Sequence, residues 1–384
     1  MSRGSVLALL LSAALAAGPL APATAAPATD LSRAVVDSTM RRHSPTTLGG
    51  WAYTQGLYLH GQYLVYKRTG DRRYLDYIRA WTDRFVNSAG EMSIRFDNLD
   101  AMRAGTLLIV LHAETGDPRY KRAADRIRGA FTSYPRTGDG GMWHNAAPGS
   151  TGFVGQLWAD GVYMAQPFLA MYGKAYGDET YAYTEALDNL AVYFRHLNAP
   201  NGLLFHAYDE QGDTSWSQNP AKRSGEHWAR AIGWFGMAAV DLLDILPADH
   251  PRRGELIGYA RHLAQGFARY QDRDTGRWFQ VVDKAADPRN WTETSASAMY
   301  TYLLSKGVRQ GYLDRRYLVN AQRGYRGVLA KVVLDARGVA DVQDIVEGTG
   351  VGNAEYYYQR KRITNDPHGL GAFLIMNEQL AHGR

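Results

Sequence analysis

Seven side chains in this chain combine a chemical capability with an unusual setting. Asp160 lies in Gln156-Leu157-Trp158-Ala159-Asp160-Gly161-Val162-Tyr163-Met164-Ala165-Gln166-Pro167-Phe168-Leu169-Ala170, which wound as a helix is apolar nearly all round. Such a helix is buried on every side, and an ionised aspartate is rarely buried without a partner or a task. It is either a first-turn Asp held by the helix dipole or a proton donor whose pKa is shifted by the walls of a pocket. Arg230 lies in an equally apolar run, His227-Trp228-Ala229-Arg230-Ala231-Ile232-Gly233-Trp234. A buried guanidinium needs an anion. Glu226 or Asp241 would make a structural ion pair, whereas a substrate carboxylate would make Arg230 a clamp. Arg230 and Trp234 are four apart and share a helix face, so Trp228 and Trp234 are candidate walls for a sugar ring. His144, in Gly140-Gly141-Met142-Trp143-His144, and His206, in Leu203-Leu204-Phe205-His206-Ala207-Tyr208-Asp209, fall in loops. No close pair such as HExxH links them, which favours hydrogen bonding to a hydroxyl or to Asp160 over a metal. Asp100 opens a further apolar helix.

The elements that must carry these residues follow a loose repeat. Thr69-Gly70-Asp71-Arg72-Arg73-Tyr74, Thr115-Gly116-Asp117-Pro118-Arg119-Tyr120, Tyr176-Gly177-Asp178-Glu179-Thr180-Tyr181 and Tyr312-Leu313-Asp314-Arg315-Arg316-Tyr317 share one plan, with a degenerate copy at Pro247-Ala248-Asp249-His250-Pro251. Gly ends one helix in three of them and Asp caps the next in all four. Each turn follows a mostly apolar helix, such as Leu99 to Glu114, Leu157 to Tyr176 or Glu226 to Leu246. Each precedes a helix with one apolar stripe, such as Tyr120, Ala123, Ala124, Ile127, Ala130 and Phe131. With an opening helix (Asp30 to Arg42) and a closing one (Gly369 to Ala381), there are six of each kind. The pattern predicts an all-α (α/α)6 barrel as one domain over residues 29–384. The long connections, Tyr134 to Gln156, Leu197 to Gly225, Asp272 to Trp291 and Val332 to Pro367, must then share one end with the N-termini of the inner helices. Long loops of this kind carry function, and Asp160 lies at that end.

Residues 1–25 have the form of a secretory signal: Arg3, an apolar run from Val6 to Leu20, then small residues, with cleavage after Ala25 or as late as Ala28. The run is broken by Gly18 and Pro19 and is too short for a membrane span. An exported, soluble protein is expected. Of 384 residues, 45% are hydrophobic and none is cysteine, so the fold rests on packing and has no Cys-bound metal or Cys nucleophile. The net charge of +5 suits an anionic partner. With no lysine-rich run or nucleic-acid motif, an acidic glycan is expected rather than DNA or a membrane. Nothing in the sequence calls for an obligate oligomer.

Four segments carry a resemblance. Leu157 to Ala165, His227 to Trp234, Glu293-Thr294-Ser295-Ala296-Ser297-Ala298-Met299 and Asn365-Asp366-Pro367-His368-Gly369-Leu370-Gly371-Ala372-Phe373 resemble glycoside hydrolase family 105. These are the unsaturated rhamnogalacturonyl hydrolases, related to the unsaturated glucuronyl hydrolases, and the likeness runs from about Trp51 to the C-terminus. It implies an (α/α)6 barrel, no metal or other cofactor, and a single Asp as acid and base, which by motif position is Asp160. It implies substrate contacts at Asp100, His144, His206, Trp228, Arg230 and Trp234. Asn145 stands where some members have a basic residue, which bears on the subsite beyond the first sugar.

The implied substrate is an oligosaccharide with a 4,5-unsaturated uronic acid at its non-reducing end. Protonation of C4 and addition of water at C5 give a hemiketal whose opening releases the next sugar, work that one carboxyl group can do. For this, Asp160 is expected to be protonated before turnover, its pKa raised by apolar neighbours and by Asp100. An ordinary inverting glycosidase on the same barrel and a secreted, non-catalytic glycan-binding protein are the alternatives.

Overall fold

The computed structural model describes residues 29–383, and the segment read as a secretory signal lies outside them. From Leu31 onward the chain forms one compact unit. Its helices in chain order are α1 (Leu31–Arg42), α2 (Tyr53–Thr69), α3 (Arg72–Thr82), α4 (Thr106–Thr115), α5 (Pro118–Ala130), α6 (Gly161–Tyr176) and α7 (Glu179–Leu197). They continue as α8 (Ala229–Ile245), α9 (Arg253–Tyr270), α10 (Thr294–Arg309), α11 (Leu318–Leu329), the short α12 (Ala354–Tyr358) and α13 (Pro367–Ala381). Helix α2 packs on α4 and α13, α6 on α4 and α8, and α10 on α8 and α13, so six helices close a ring. The outer helices α3, α5, α7, α9 and α11 each pack on the inner helix before them, and α1 packs on α13 and α2. This is the (α/α)6 barrel that the alternation of apolar and striped helices predicts. In α5 the stripe buries Tyr120, Ala123, Ala124 and Ile127, while α8 is buried almost throughout.

The repeated turns work as their residues dictate, with one exception. Gly70, Gly116 and Gly177 end their helices with φ of 71°, 69° and 80°, a conformation glycine reaches without strain. Asp71, Asp117 and Asp314 accept hydrogen bonds from the backbone N–H two residues on. Asp178 does not cap. Its backbone is not extended, and its carboxylate takes Arg128 Nε at 2.5 Å instead.

The long connections pair into two-stranded antiparallel ribbons. They are β1 (Gln156–Trp158) with β2 (Ala207–Asp209), β3 (Trp278–Phe279) with β4 (Thr292–Glu293), β5 (Val332–Leu334) with β6 (Ala340–Val342), and β7 (Ile345–Val346) with β8 (Arg362–Ile363). The stretch Gln156 to Trp158 is therefore strand and not helix. β1 is set by its partner: Leu157 faces Tyr208 and Trp158 faces Ala207 in register.

Glu293 ties this layer to the barrel. Its fully buried carboxylate accepts the N–H groups of Ser295 and Ala296, the hydroxyl of Ser295 and the N–H of Val346. One side chain thus caps α10 and anchors β7. Removing it orphans several buried donors at once. Glu293→Ala is expected to lower the unfolding free energy by about 3 kcal/mol in equilibrium urea denaturation, and a change under about 1 kcal/mol would contradict this assignment.

Candidate active site

Five of the six inner helices, α2, α4, α6, α8 and α13, contribute at or near their starts. Asp160 precedes α6 with helical φ and ψ of −56° and −41°, but its side chain makes no capping bond. The β1–β2 ladder ends with Ala159 N–H donating to the His206 carbonyl at 2.9 Å, which brings the next residue against the His206 ring. Asp160 Oδ2 lies 3.2 Å from His206 Nε2. Neither atom completes a well-aligned hydrogen bond, so a small rotation would join them. The Asp160 side chain is 13% exposed and that of His206 fully buried.

His144 is placed by its backbone. Its N–H donates to Gln156 at 2.8 Å, and its carbonyl accepts from Leu99 at 3.1 Å. The ring stacks on Trp158 at 4.3 Å with planes 7° apart, and Nε2 lies 3.9 Å from Asp100 Oδ2. Asp100 sits in a single 3-10 turn, Leu99–Ala101, ahead of α4, and 32% of its side chain is open.

Arg230 pairs with neither carboxylate that the sequence offered. Glu226 binds Lys284 at 3.1 Å and Asp241 binds Lys306 at 3.0 Å. Arg230 instead donates to the carbonyls of Val346 (2.5 Å) and Glu347 (2.7 Å), and lies over the Trp228 ring at 4.9 Å. Carbonyls orient a guanidinium without neutralising it, so its charge stays available to an anion. Trp228 and Trp234 are each 1% exposed and present no open face. Trp228 tilts against His206 at 4.7 Å and stacks parallel to Tyr357 at 5.9 Å, while Trp234 stacks on Tyr163 at 5.1 Å. Both brace other residues from behind.

The structure thus joins Asp100, His144, Asp160, His206, Trp228 and Arg230 by contact, and Trp234 meets them through Tyr53, whose ring it touches edge-on at 6.3 Å. Residues that sequence patterns did not single out complete the site. Tyr53 opens α2 and hydrogen-bonds His368 Nε2 at 2.7 Å, and His368 Nδ1 meets Asp366 at 2.5 Å. Trp158 and His368 lay within the family-like segments, so a signal was present. Tyr357 had none. Among the described residues no group of three His, Cys, Asp or Glu is placed to hold a metal.

The electrostatics divide the two acids. Burial, and then the charge of Asp160, raises Asp100 to about 7. Burial also opposes charge on Asp160, but His206, followed by His144, outweighs it and holds the carboxyl below the ordinary aspartate value. The expected rise at Asp160 therefore falls on Asp100 instead, because His206 Nε2 lies 3.2 Å from Asp160 while His144 Nε2 stays 3.9 Å from Asp100. Burial, despite the opposing pull of Asp160, lowers His144 to about 4. His368 is lowered to about 4, first by burial and then by Arg230.

With this geometry in view, known proteins give a consistent picture. Residues 31–381 match the model of Glycosyl Hydrolase Family 88. The chain is 31% identical to a family 105 glycoside hydrolase from C. acetobutylicum, with a TM-score of 0.85 over 91% of this chain and 99% of that one. The chain belongs to the family 88/105 glycoside hydrolases. It is also 28% identical to the unsaturated rhamnogalacturonyl hydrolase YesR of Bacillus subtilis over 83% of this chain and 87% of that protein. An unsaturated glucuronyl hydrolase from Bacillus sp. GL1 shares the fold, with a TM-score of 0.69 at 15% identity over 91% of this chain and 95% of that one.

Family membership makes this a glycoside hydrolase, and the split between its two acids gives a pH signature. Asp100 titrates higher folded than unfolded, so the folded state binds the extra proton between about pH 4 and about pH 7. Stability from this group is present below that window and is lost as the pH rises through it. Asp100→Asn cannot ionise. Its melting temperature relative to wild type is expected to rise across the same window, and a pH-independent difference would refute the assignment.

Proposed function

We propose that this hydrolase removes the terminal 4,5-unsaturated uronic acid from lyase-generated oligosaccharides, with Asp160 as acid and base. One observation carries the proposal. A largely buried carboxyl group, Asp160, is linked through His206 and Trp228 to a buried guanidinium, Arg230, that makes no ion pair with a carboxylate among the described residues. A substrate carrying both a carboxylate and a protonatable carbon next to it suits that pair. The names of relatives such as the B. subtilis unsaturated rhamnogalacturonyl hydrolase support the same substrate class.

The steps balance around one proton. Arg230 takes the uronate carboxylate, and the bound sugar displaces water from Asp160. Desolvation and the incoming negative charge both favour protonation of Asp160, reversing its resting state. Asp160 gives its proton to C4, and the C4=C5 electron pair forms the new C–H bond. The positive charge left on C5 is shared with the ring oxygen. Water adds at C5 and returns a proton to Asp160. The C5 hemiketal opens to a ketone, the hemiacetal left at C1 collapses, and the next sugar departs. Asp100, protonated over much of the range below neutrality, is placed to donate to a sugar hydroxyl. The N-terminal apolar segment supports export of the enzyme to where polysaccharide fragments occur.

Loss of the ultraviolet absorbance of the unsaturated uronate is the direct assay. Wild-type enzyme is expected to bleach lyase-generated oligosaccharides, and Asp160→Asn to lower kcat by about a thousandfold while still binding them. Bleaching by Asp160→Asn at the wild-type rate would overturn the role. Turnover of saturated glycosides alone would indicate an ordinary inverting glycosidase, in which two carboxyl groups flank the bond.

A further inference from the structure

We propose that Tyr357 is a positioning residue, which holds the His206 ring with Nε2–H toward Asp160 Oδ2 and so assigns the catalytic proton to Asp160 Oδ1. This rests on Asp160 being the acid. Tyr357 and His206 are both fully buried. The Tyr357 hydroxyl lies 2.7 Å from His206 Nδ1, and the Gly352 N–H donates to the same hydroxyl oxygen at 3.1 Å. A peptide N–H can only donate, so the phenol must place its own hydrogen elsewhere. Among the described residues, His206 Nδ1 is the hydrogen-bond acceptor within its reach. Hydrogen on Nδ1 would leave the phenol a buried donor without an acceptor, an arrangement folded proteins avoid. Nδ1 is therefore bare, and the neutral ring carries its hydrogen on Nε2.

Nε2 lies 3.2 Å from Asp160 Oδ2, and a small rotation turns its hydrogen toward that oxygen. Oδ2 then acts as an acceptor, and a proton entering the carboxyl settles on Oδ1. Trp228 lies against both rings and fixes their relative position. Asp160 is faced as well by Asp100, His144, Tyr53, Tyr193 and His368, and Tyr357 by Glu226 and Tyr356. Tyr357 sets which atom of the carboxyl takes the proton.

Nitrogen-15 NMR of histidine-labelled protein tests this, with His206→Asn identifying the His206 signals. Wild type is expected to show a bare Nδ1 and a protonated Nε2 on the neutral ring. In Tyr357→Phe both ring nitrogens should become protonated in part of the population. The variant's kcat should fall about tenfold with KM unchanged. Hydrogen on Nδ1 in the wild type would overturn the proposal, as would Tyr357→Phe with unaltered ring signals and kcat. The wild-type spectrum decides even if the variant fails to fold. It needs no substrate, so it stands apart from any failure of the proposed reaction.

Discussion

The site depends on one buried carboxylate whose hydrogen bonds are made within the protein. Glu293 gathers donors from the start of α10 and from Val346, and Val346 in turn offers its carbonyl to Arg230. A loop strand, an inner helix and the cationic side chain of α8 are thereby fixed relative to one another. Without that tie the guanidinium would lose one of its two carbonyl partners and be free to seek a carboxylate in the protein. Its unneutralised charge exists because rigid, neutral acceptors keep it where it is.

The same economy governs the two acids. Asp100 and Asp160 are close enough to feel each other's charge, yet their environments push them in opposite directions. The difference comes from the His206 ring, 3.2 Å from Asp160, where His144 stays 3.9 Å from Asp100. Separated titrations of neighbouring carboxyls are how a single pocket holds a proton and a charge at the same pH. His144, stacked on Trp158, sits beside both, its own pKa lowered by burial.

Much of this was legible in the residues. Alternation of apolar and striped helices identified the barrel, and loop lengths pointed to the end where Asp160, His206 and Arg230 gather, because both properties follow from local composition. The failures were also physical. Gln156 to Trp158 has the apolarity of a buried helix, but Ala207–Asp209, far along the chain, pairs with it as a strand. Asp178 has the position of a cap, but Arg128 competes for its carboxylate. The lowered pKa of Asp160 required knowing that His206 points at it, and Tyr357 meets His206 across 151 residues of chain. Contacts of that span leave no periodicity or spacing to read.

Ring closure by α13 sets an order of events during synthesis. Helix α13 is the inner neighbour of both α2 and α10, so the earliest and latest inner helices must meet. Five hairpins can leave the ribosome while the apolar flank of α2 still has nothing to cover it. Contacts between such distant parts of a chain slow folding. A message cut short before Pro367 would yield an open, sticky arc lacking His368 rather than a weaker enzyme.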